Sequence, residues 1–572
     1  MTTKKSAIIK EILIPIKQMK FACALIVFCS VVVSLCQAVV IFIFGPLFKA
    51  LFQAGESSLI ELSQVLPAKL AETLNLSGVK WPAADFFALL PLLLLSIGVI
   101  RGLALYLLNI NQERVSLEVA HYIRWQSFRR ILQTDYIDIS KKGAGQWMSQ
   151  IMNDIMILQQ RFTDLLKSLV KDGLTVAGAI LALAFININM TLGIIGICLP
   201  AIFFLGIGSK KIAHYTEVIQ KKIGELSAMV SDQYSRLGDI SVHRAQLREW
   251  NQFQEQNSIL FQQQKRSITL RSSFAPSIEL LGFLVFAAVL YLYSSGYFSE
   301  GFSPTYLMQF VIALGICIRP LRNLGEQISK LQETKGSMKS NWSIGEASRA
   351  KLPAGETQAS FPIELQSASV GYGSDPVVTI ESMHLKDGQS TLLKGESGCG
   401  KSTVLKTLAG LLVPESWKGS CTWNQLSASS AYVSQNPFLF DGSMAENIFY
   451  GQKNSKLKRL KALEIAQNLQ LGEVLASEAD FDKMFSSYES ELSGGQKQRL
   501  TILRALMAGK TLLLLDEATS ALDPSTESLV LAFLRSWVKD KGGHLIFISH
   551  RAHKQSDFDQ SFLIENGKWL SA

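Results

Sequence analysis

Gly395-Glu396-Ser397-Gly398-Cys399-Gly400-Lys401-Ser402-Thr403 is the stretch on which the reading of this chain turns. It matches GxxxxGK[ST], and its setting fits: the apolar run Thr391-Leu392-Leu393 precedes it, and a helical pattern from Thr403 to Leu412 follows. A glycine-rich loop between strand and helix lets backbone N–H groups wrap a β-phosphate, while Lys401 reaches the β and γ oxygens and the Ser402 hydroxyl can ligate Mg²⁺. Gly395, Ser397, Gly398, Cys399, Gly400, Lys401, Ser402 and Thr403 are the expected phosphate-binding set.

Further along, Leu512-Leu513-Leu514-Leu515-Asp516-Glu517 reads as a buried strand ending in two acids. Carboxylates at the C-terminal tip of such a strand stand where ligands bind in α/β sheets. Asp516 is expected to hold the Mg²⁺ shell, and Glu517 to polarise an attacking water. Between and around these motifs the β-rich runs Ser390 to Lys394, Ala431 to Ser434, Thr511 to Leu515 and His544 to Ser549 alternate with helical patterns, the signature of a largely parallel sheet covered by helices.

The other half of the chain is different. The mean hydropathy of +0.21, with 18% charged residues, is high for a soluble protein of 572 residues, and the apolar runs lie before about Ile318. Six segments are long enough to cross a bilayer, near 21 to 48, 86 to 109, 165 to 187, 191 to 208, 274 to 295 and 304 to 325. Spans 3 and 4 are joined by the Asn187-Ile188-Asn189 turn and spans 5 and 6 by the Ser294 to Pro304 loop. The 2-to-3 and 4-to-5 connections are long, basic and helically periodic, as in Glu113 to Leu132 and Lys210 to Gln264. With the N-terminus inside, both are cytoplasmic helical extensions, turning back near Ser140 to Gly145 and Ser235 to Gly238.

The expected organisation is a helical membrane domain over 1–335, a polar linker over 336–360 and a nucleotide-binding α/β domain over 361–572. The formal charge of +9 suggests nucleic acid at first, but much of the excess flanks apolar runs, where positive residues hold loops on the cytoplasmic side, so no nucleic-acid partner is expected. The seven cysteines are scattered and lack metal-type spacing, which argues against both a disulfide framework and a zinc site. The basic, amphipathic N-terminus leads into an apolar stretch too long for a signal-peptide core, and reads as a cytoplasmic elbow before a retained span.

Leu492-Ser493-Gly494-Gly495-Gln496, continued by Lys497-Gln498-Arg499, resembles the ABC signature and lies a short way before the Asp516-Glu517 strand. With the phosphate loop, this order identifies the chain by resemblance as a member of the ABC superfamily, and six spans followed by one ATPase resemble the type IV exporters, which include the lipid flippase of Gram-negative bacteria and many multidrug and peptide exporters. The resemblance implies that Gln435 touches Mg²⁺ and senses the membrane domain, that His550 is the switch histidine near the γ-phosphate, that Ser520 to Asp523 form the D-loop, and that Tyr372 stacks on adenine. Tyr372 alone reads equally well as a half-buried strand aromatic. In this group ATP is sandwiched between the phosphate loop of one subunit and the signature of the other (here Ser493, Gly494, Gly495 and Gln496). The resemblance therefore implies a second half-transporter, a homodimer or a heterodimer, in the cytoplasmic membrane. The tips near Lys141 and Arg236 become coupling helices. One departure is Phe485-Ser486-Ser487-Tyr488-Glu489-Ser490-Glu491, which keeps the acids of a stretch that in many exporters also carries glycine.

Two function classes fit: an ATP-hydrolysing exporter, and an ATP-gated regulatory or channel-like protein. Proteins of the second kind often lack the acid after the Mg-binding aspartate, and here Glu517, His550 and the signature are all present. The expected cargo is an amphipathic anion, a lipid or lipid-linked molecule, with multidrug, peptide or small-thiol export as the alternatives. Arg101, Lys167, Lys171, Arg319 and Arg322 give the inner half of the spans a basic balance against Asp172 and Glu279. The same cations also read as topology anchors that snorkel to headgroups.

Overall fold

A computed structural model describes residues 14–52, 59–61, 80–141, 147–148, 150–186, 188–294, 308–317, 319–321, 323–324, 327, 358–372, 376–486, 492–549, 551 and 557–571. The chain divides into two compact units, one of Met1–Leu132 with Ala144–Glu346, the other of Gln133–Gly143 with Ala347–Ala572.

The first unit is mainly helical. Its helices include α1 (Lys20–Phe52), α2 (Ala83–Leu132), α4 (Ile155–Leu166) with π-helical turns Gln150–Asp154 before it and Lys167–Asp172 after it, α5 (Gly173–Ile186), α6 (Ile188–Ser235), α7 (Leu237–Val242), α8 (Gln246–Ser272) and α9 (Phe274–Ser294), and Leu59–Glu61 pairs antiparallel with Lys80–Pro82; the helix α3 (Tyr136–Lys141) falls in the second unit. The helices α2 and α6, of 50 and 48 residues, are more than twice the length a bilayer needs, so their charged ends extend past it. Among the described residues, Lys20–Ile43, Ala88–Leu132 and Ile151–Phe185 are long and apolar enough to span, and Glu279–Ala288 and Met308–Leu321 are shorter apolar helices. Without a hydrophobic drive between helices in lipid, close packing of small residues matters. The helix α1 packs on α2 and α5, and at Gly178 of α5 a Cβ would lie 2.2 Å from Ser34 Oγ. Ser34 Oγ in turn donates to Leu174 O at 2.9 Å.

The turn expected near Ser140 begins earlier: α2 ends at Leu132 and α3 has started by Tyr136, after Thr134 and Asp135 break the apolar periodicity. At the second tip α6 ends at Ser235 and α7 follows Arg236, so the reversal contains a short helix of its own. Asn187 lies outside the described residues, as do 142–146 and all of 336–357.

The second unit is built on a ten-stranded sheet: β1 (Ile363–Gly371), β2 (Pro376–Ile380), β3 (Met383–Leu385), β4 (Gln389–Gly395), β5 (Ser416–Gly419), β6 (Ser430–Val433), β7 (Leu512–Asp516), β8 (His544–Ile548), β9 (Gln560–Glu565) and β10 (Lys568–Ser571). The order is β3-β1-β2-β10-β9-β4-β8-β7-β6, with β5 beside β1. The strands β6, β7, β8, β4 and β9 run parallel to their neighbours in this series, and β1 to β3 form an antiparallel wing. Every residue of β7 and β8 is buried, because both faces are covered. Alternation divides them: Leu513, Leu515, Leu545 and Phe547 join one core and Leu512, Leu514, Ile546 and Ile548 the other. Helices α10 (Lys401–Leu408), α11 (Lys456–Asn468), α12 (Gly494–Met507) and α13 (Pro524–Lys541) surround the sheet. The parallel strands deliver Gly395, Val433, Asp516 and Ile548 to one edge of the sheet, and the loops leaving that edge carry the site.

Candidate functional site

The loop after β4 holds its shape through glycine. Gly395 has φ +147°, and a Cβ there would stand 2.6 Å from Cys399 Sγ and 2.7 Å from Ile564 O, the second a backbone atom that cannot give way. Gly400 is the left-handed N-cap of α10 at φ +105°, with Val378 Cγ2 2.4 Å from where a Cβ would be. The loop therefore turns tightly and leaves its N–H groups free of side chains. Lys401, 6% exposed, folds back over it, donating from Nζ to Gly395 O and Glu396 O at 2.8 Å each. Ser397, Gly398 and Cys399 lie on the same loop. Thr403 is buried, with its carbonyl accepting from Thr407 Oγ1.

The two acids meet this loop from β7. Asp516, 3% exposed, accepts from Ser402 Oγ on Oδ1 and from Tyr432 OH on Oδ2, both at 2.9 Å. Burial first, and then the Asp516 carboxylate, push the Tyr432 phenol well above its ordinary value, so it stays protonated and remains a donor. Glu517 takes φ +51°, rare for a residue with a Cβ and worth about 1–3 kcal/mol of strain. Its N–H donates to Ile548 O at 3.1 Å, and its Oε2 accepts from Gln435 Nε2 at 2.6 Å. Three segments distant in sequence thus place Ser402, Tyr432, Gln435, Asp516 and Glu517 at one spot. One carboxylate, one hydroxyl and an amide are the hard oxygen donors Mg²⁺ takes when phosphates complete its shell. No cluster of three or more His, Cys, Asp or Glu that would hold a metal unaided occurs among the described residues.

The signature opens α12. Ser493 caps it reciprocally with Gln496: Gln496 N donates to Ser493 Oγ at 3.2 Å and Ser493 N to Gln496 Oε1 at 2.9 Å. Gly494 and Gly495 follow, and the segment 519–522 packs against them; a Cβ on Gly495 would stand 3.0 Å from Leu522 Cδ2. Buried Gln498 bridges the two, donating to Ser520 Oγ and accepting from Ala521 N at 3.0 Å each.

His550 lies outside the described residues. Arg551, beside it, donates to Glu527 Oε2 at 2.6 Å, to Leu522 O at 2.6 Å and to Ser520 O at 3.2 Å. Glu527, almost wholly buried, takes Thr519 Oγ1 on its other oxygen at 2.6 Å. Tyr372 is 47% exposed at the end of β1, free to present a ring face.

Among the candidate cargo residues, Lys167 is paired with Glu113 at 2.7 Å, and Asp172 is buried, accepting from Asn323 Nδ2 at 3.0 Å. Arg101 and Arg319 are exposed, and Arg322 lies outside the described residues. Tyr432, Gln498, Glu527 and Arg551 were not among the residues expected from sequence. Gln498 and Arg551 neighbour recognised motifs, whereas nothing in the run Ser430 to Val433 marks Tyr432 as more than a strand aromatic.

A family model described as ABC transporter matches residues 379–520, and one described as ABC transporter transmembrane region matches 23–316. The ATP-dependent lipid A-core flippase of Nitrosococcus oceani is 26% identical over 495 residues, covering 84% of this chain and 82% of that protein. The flippase of the same description from Vibrio vulnificus is 25% identical over 499 residues, covering 85% of each. Among solved structures, a bacterial Atm1-family ABC exporter with ATP bound superposes with a TM-score of 0.77 over 97% of this chain and 95% of that one, at 19% identity, a likeness of fold.

Proposed function

We propose that this chain, which belongs to the ABC transporter family, is one half of an exporter that moves an amphipathic lipid anion out of the inner leaflet of the cytoplasmic membrane. It is an ATPase coupled to transport, with a helical membrane domain followed by the nucleotide-binding domain. The observation that carries the reading is the meeting of Ser402, Gln435, Asp516 and Glu517 within hydrogen-bond distance, on a chain that also carries the membrane helices.

Each residue then has a chemical role. The loop N–H groups from Gly395 to Ser402 bind the β-phosphate, and Lys401 exchanges two backbone carbonyls for phosphate oxygens, a change a flexible ammonium makes readily. Ser402 and Asp516, already paired, present oxygens to Mg²⁺, which when bound neutralises developing phosphate charge. Glu517 orients and polarises the attacking water, and Gln435, now on its carboxylate, can release it when nucleotide arrives. His550 would face the γ-phosphate and Tyr372 the adenine. Ser493 to Gln496 would close the site of a second half-transporter, a homodimer in the simplest case, because one chain holds a complete set of parts.

The lipid part of the reading is supported by what the relatives are named for, lipid A-core flippases, and by the basic balance of the inner half of the spans. The test is ATPase activity stimulated by anionic lipid, neutral lipid or cationic drug, in wild type and in Arg101→Ala and Lys171→Ala. Stimulation by anionic lipid that falls in the variants is expected; stimulation by cationic drugs alone, unchanged by either substitution, would overturn the lipid reading in favour of multidrug export.

A further inference from the structure

The helices α6 and α8 of the membrane unit pack side by side, and a groove of about 690 Å³ opens between them. Lys265, Arg266, Thr269 and Ser273 line it from α8 and its C-cap, spaced as one stripe of a helix, and Lys211 and Tyr215, one turn apart, line it from α6. Among the described residues no carboxylate contributes to its wall. None of the three cations has an ion-pair partner among the described residues, although the same helix α6 pairs Lys222 with Glu225 at 2.7 Å and Arg236 with Asp232. Among the described residues, then, no ion pair offsets the positive charge of the groove.

Its height in the membrane follows from the sequence on either side. Along α6 the stretch 191–208 carries no charge and ends shortly before Lys211; along the other helix, Ser273 is followed at once by α9, whose 21 residues include Glu279 as the sole charge. Both helices change from apolar to charged at the groove, at the level of cytoplasmic-leaflet headgroups under the topology read above. Just beyond it Leu280, Phe283 and Leu284 are exposed, an apolar face that acyl chains can cover.

We propose that this groove binds the phosphate of an anionic phospholipid of the cytoplasmic leaflet. Lys211, Lys265 and Arg266 supply the charge, and the Tyr215 hydroxyl rotates to donate; Thr269 Oγ1 and Ser273 Oγ, which donate to Lys265 O at 2.9 Å and Leu270 O at 2.7 Å, would leave those carbonyls to do the same. A volume of about 690 Å³ is in the range of small-molecule sites and far exceeds what a lone ion fills. The lipid source is favoured over free phosphate because the groove adjoins the apolar faces. For the class of ligand the proposal rests on the lipid-exporter reading; the site itself stands on the unpaired cations.

The test is native mass spectrometry of the full-length protein titrated with phosphatidylglycerol, phosphatidylcholine or inorganic phosphate. Wild type is expected to hold phosphatidylglycerol in preference to both others. Lys265→Gln/Arg266→Gln should weaken that binding about thirtyfold, the effect of two basic groups at an anionic surface, with basal ATP hydrolysis and phosphatidylcholine binding unchanged. Lys211→Gln should show a smaller loss, and Lys265→Arg/Arg266→Lys should keep the binding. Phosphatidylglycerol held as well by the double glutamine variant as by wild type would overturn the site, and inorganic phosphate held as tightly as phosphatidylglycerol would overturn the lipid source. Lipid-stimulated hydrolysis in the same preparations tests the exporter reading separately: its absence tells against lipid export, whereas loss of lipid retention tells on the groove.

Discussion

Gln435 Nε2 donates to Glu517 Oε2 at 2.6 Å, so the carboxylate expected to polarise water is held by the amide of the loop expected to sense the membrane domain. Glu517 is also held in the left-handed region at φ +51°, with its N–H on Ile548 O. The backbone is locked while the side chain holds an exchangeable amide, so a movement of Gln435 changes what holds the Glu517 carboxylate.

Glu517→Gln should bind ATP with affinity near wild type, since the phosphate loop, Ser402 and Asp516 are untouched. Hydrolysis should fall by at least about a hundredfold, the contribution of a positioned general base. ATP binding and turnover measured on one preparation separate the two; near wild-type hydrolysis would assign the base elsewhere.

Tyr432→Phe removes one of the two hydrogen bonds on Asp516. The half-saturating Mg²⁺ concentration for hydrolysis should rise by about tenfold, from a charge-assisted bond worth about 1.5 kcal/mol. A Mg²⁺ titration at saturating ATP reads this, and an unchanged midpoint would make Tyr432 a packing residue only.

Cys399 places its sulfur against Gly395 inside the phosphate loop. A maleimide adduct there fills the space phosphates need, so alkylation should abolish hydrolysis and MgATP should protect. Cys399→Ala should keep activity after the same treatment; inhibition of Cys399→Ala to the same degree would move the reactive group elsewhere.

Arg551→Ala takes the guanidinium from the buried Glu527 carboxylate, and frees the carbonyls of Ser520 and Leu522. Because the Arg551 side chain is 38% exposed, water can replace part of what is lost, and the expected cost is about 1–3 kcal/mol. The ATPase unit's thermal transition should fall by several degrees, with Arg551→Lys recovering part of it, since lysine cannot span three acceptors as a guanidinium does.

His544 sits wholly buried between Thr391 Oγ1 at 2.8 Å and Lys386 O at 2.6 Å, and burial lowers its pKa to about 4 from an ordinary 6.5. The folded ring stays neutral where the unfolded one takes a proton. Its contribution to stability is therefore complete above pH 6.5 and lost as the pH falls from 6.5 toward 4. Thermal unfolding of the full-length protein across that interval should show the loss for the ATPase transition, and His544→Gln should flatten it.

The phosphate loop, the acid-tipped strand and the signature were legible in the sequence because each is contiguous: spacing along a few residues sets the chemistry, and the flanking period of two or 3.6 sets the element. Of the six expected spans, Lys20–Ile43, Ala88–Leu132 and Ile151–Phe185 were legible for the same reason, since a length of about 20 residues is itself the signal. The pairings across the fold were not. Tyr432 reaches Asp516 because β6 and β7 are neighbours in register, and Thr519, Glu527 and Arg551 converge because β7 and β8 lie side by side beneath α13. The cations were the hardest to read. Within the spans they drew notice as costly charges, yet Lys167 turns out to be paired with Glu113, while Lys211, Lys265 and Arg266 look in sequence like the solvated faces of long polar helices. Helical periodicity says which residues share a face but not which face of another helix it meets. That depends on the axial register of α6 against α8, which side-chain packing decides and one-dimensional pattern does not contain.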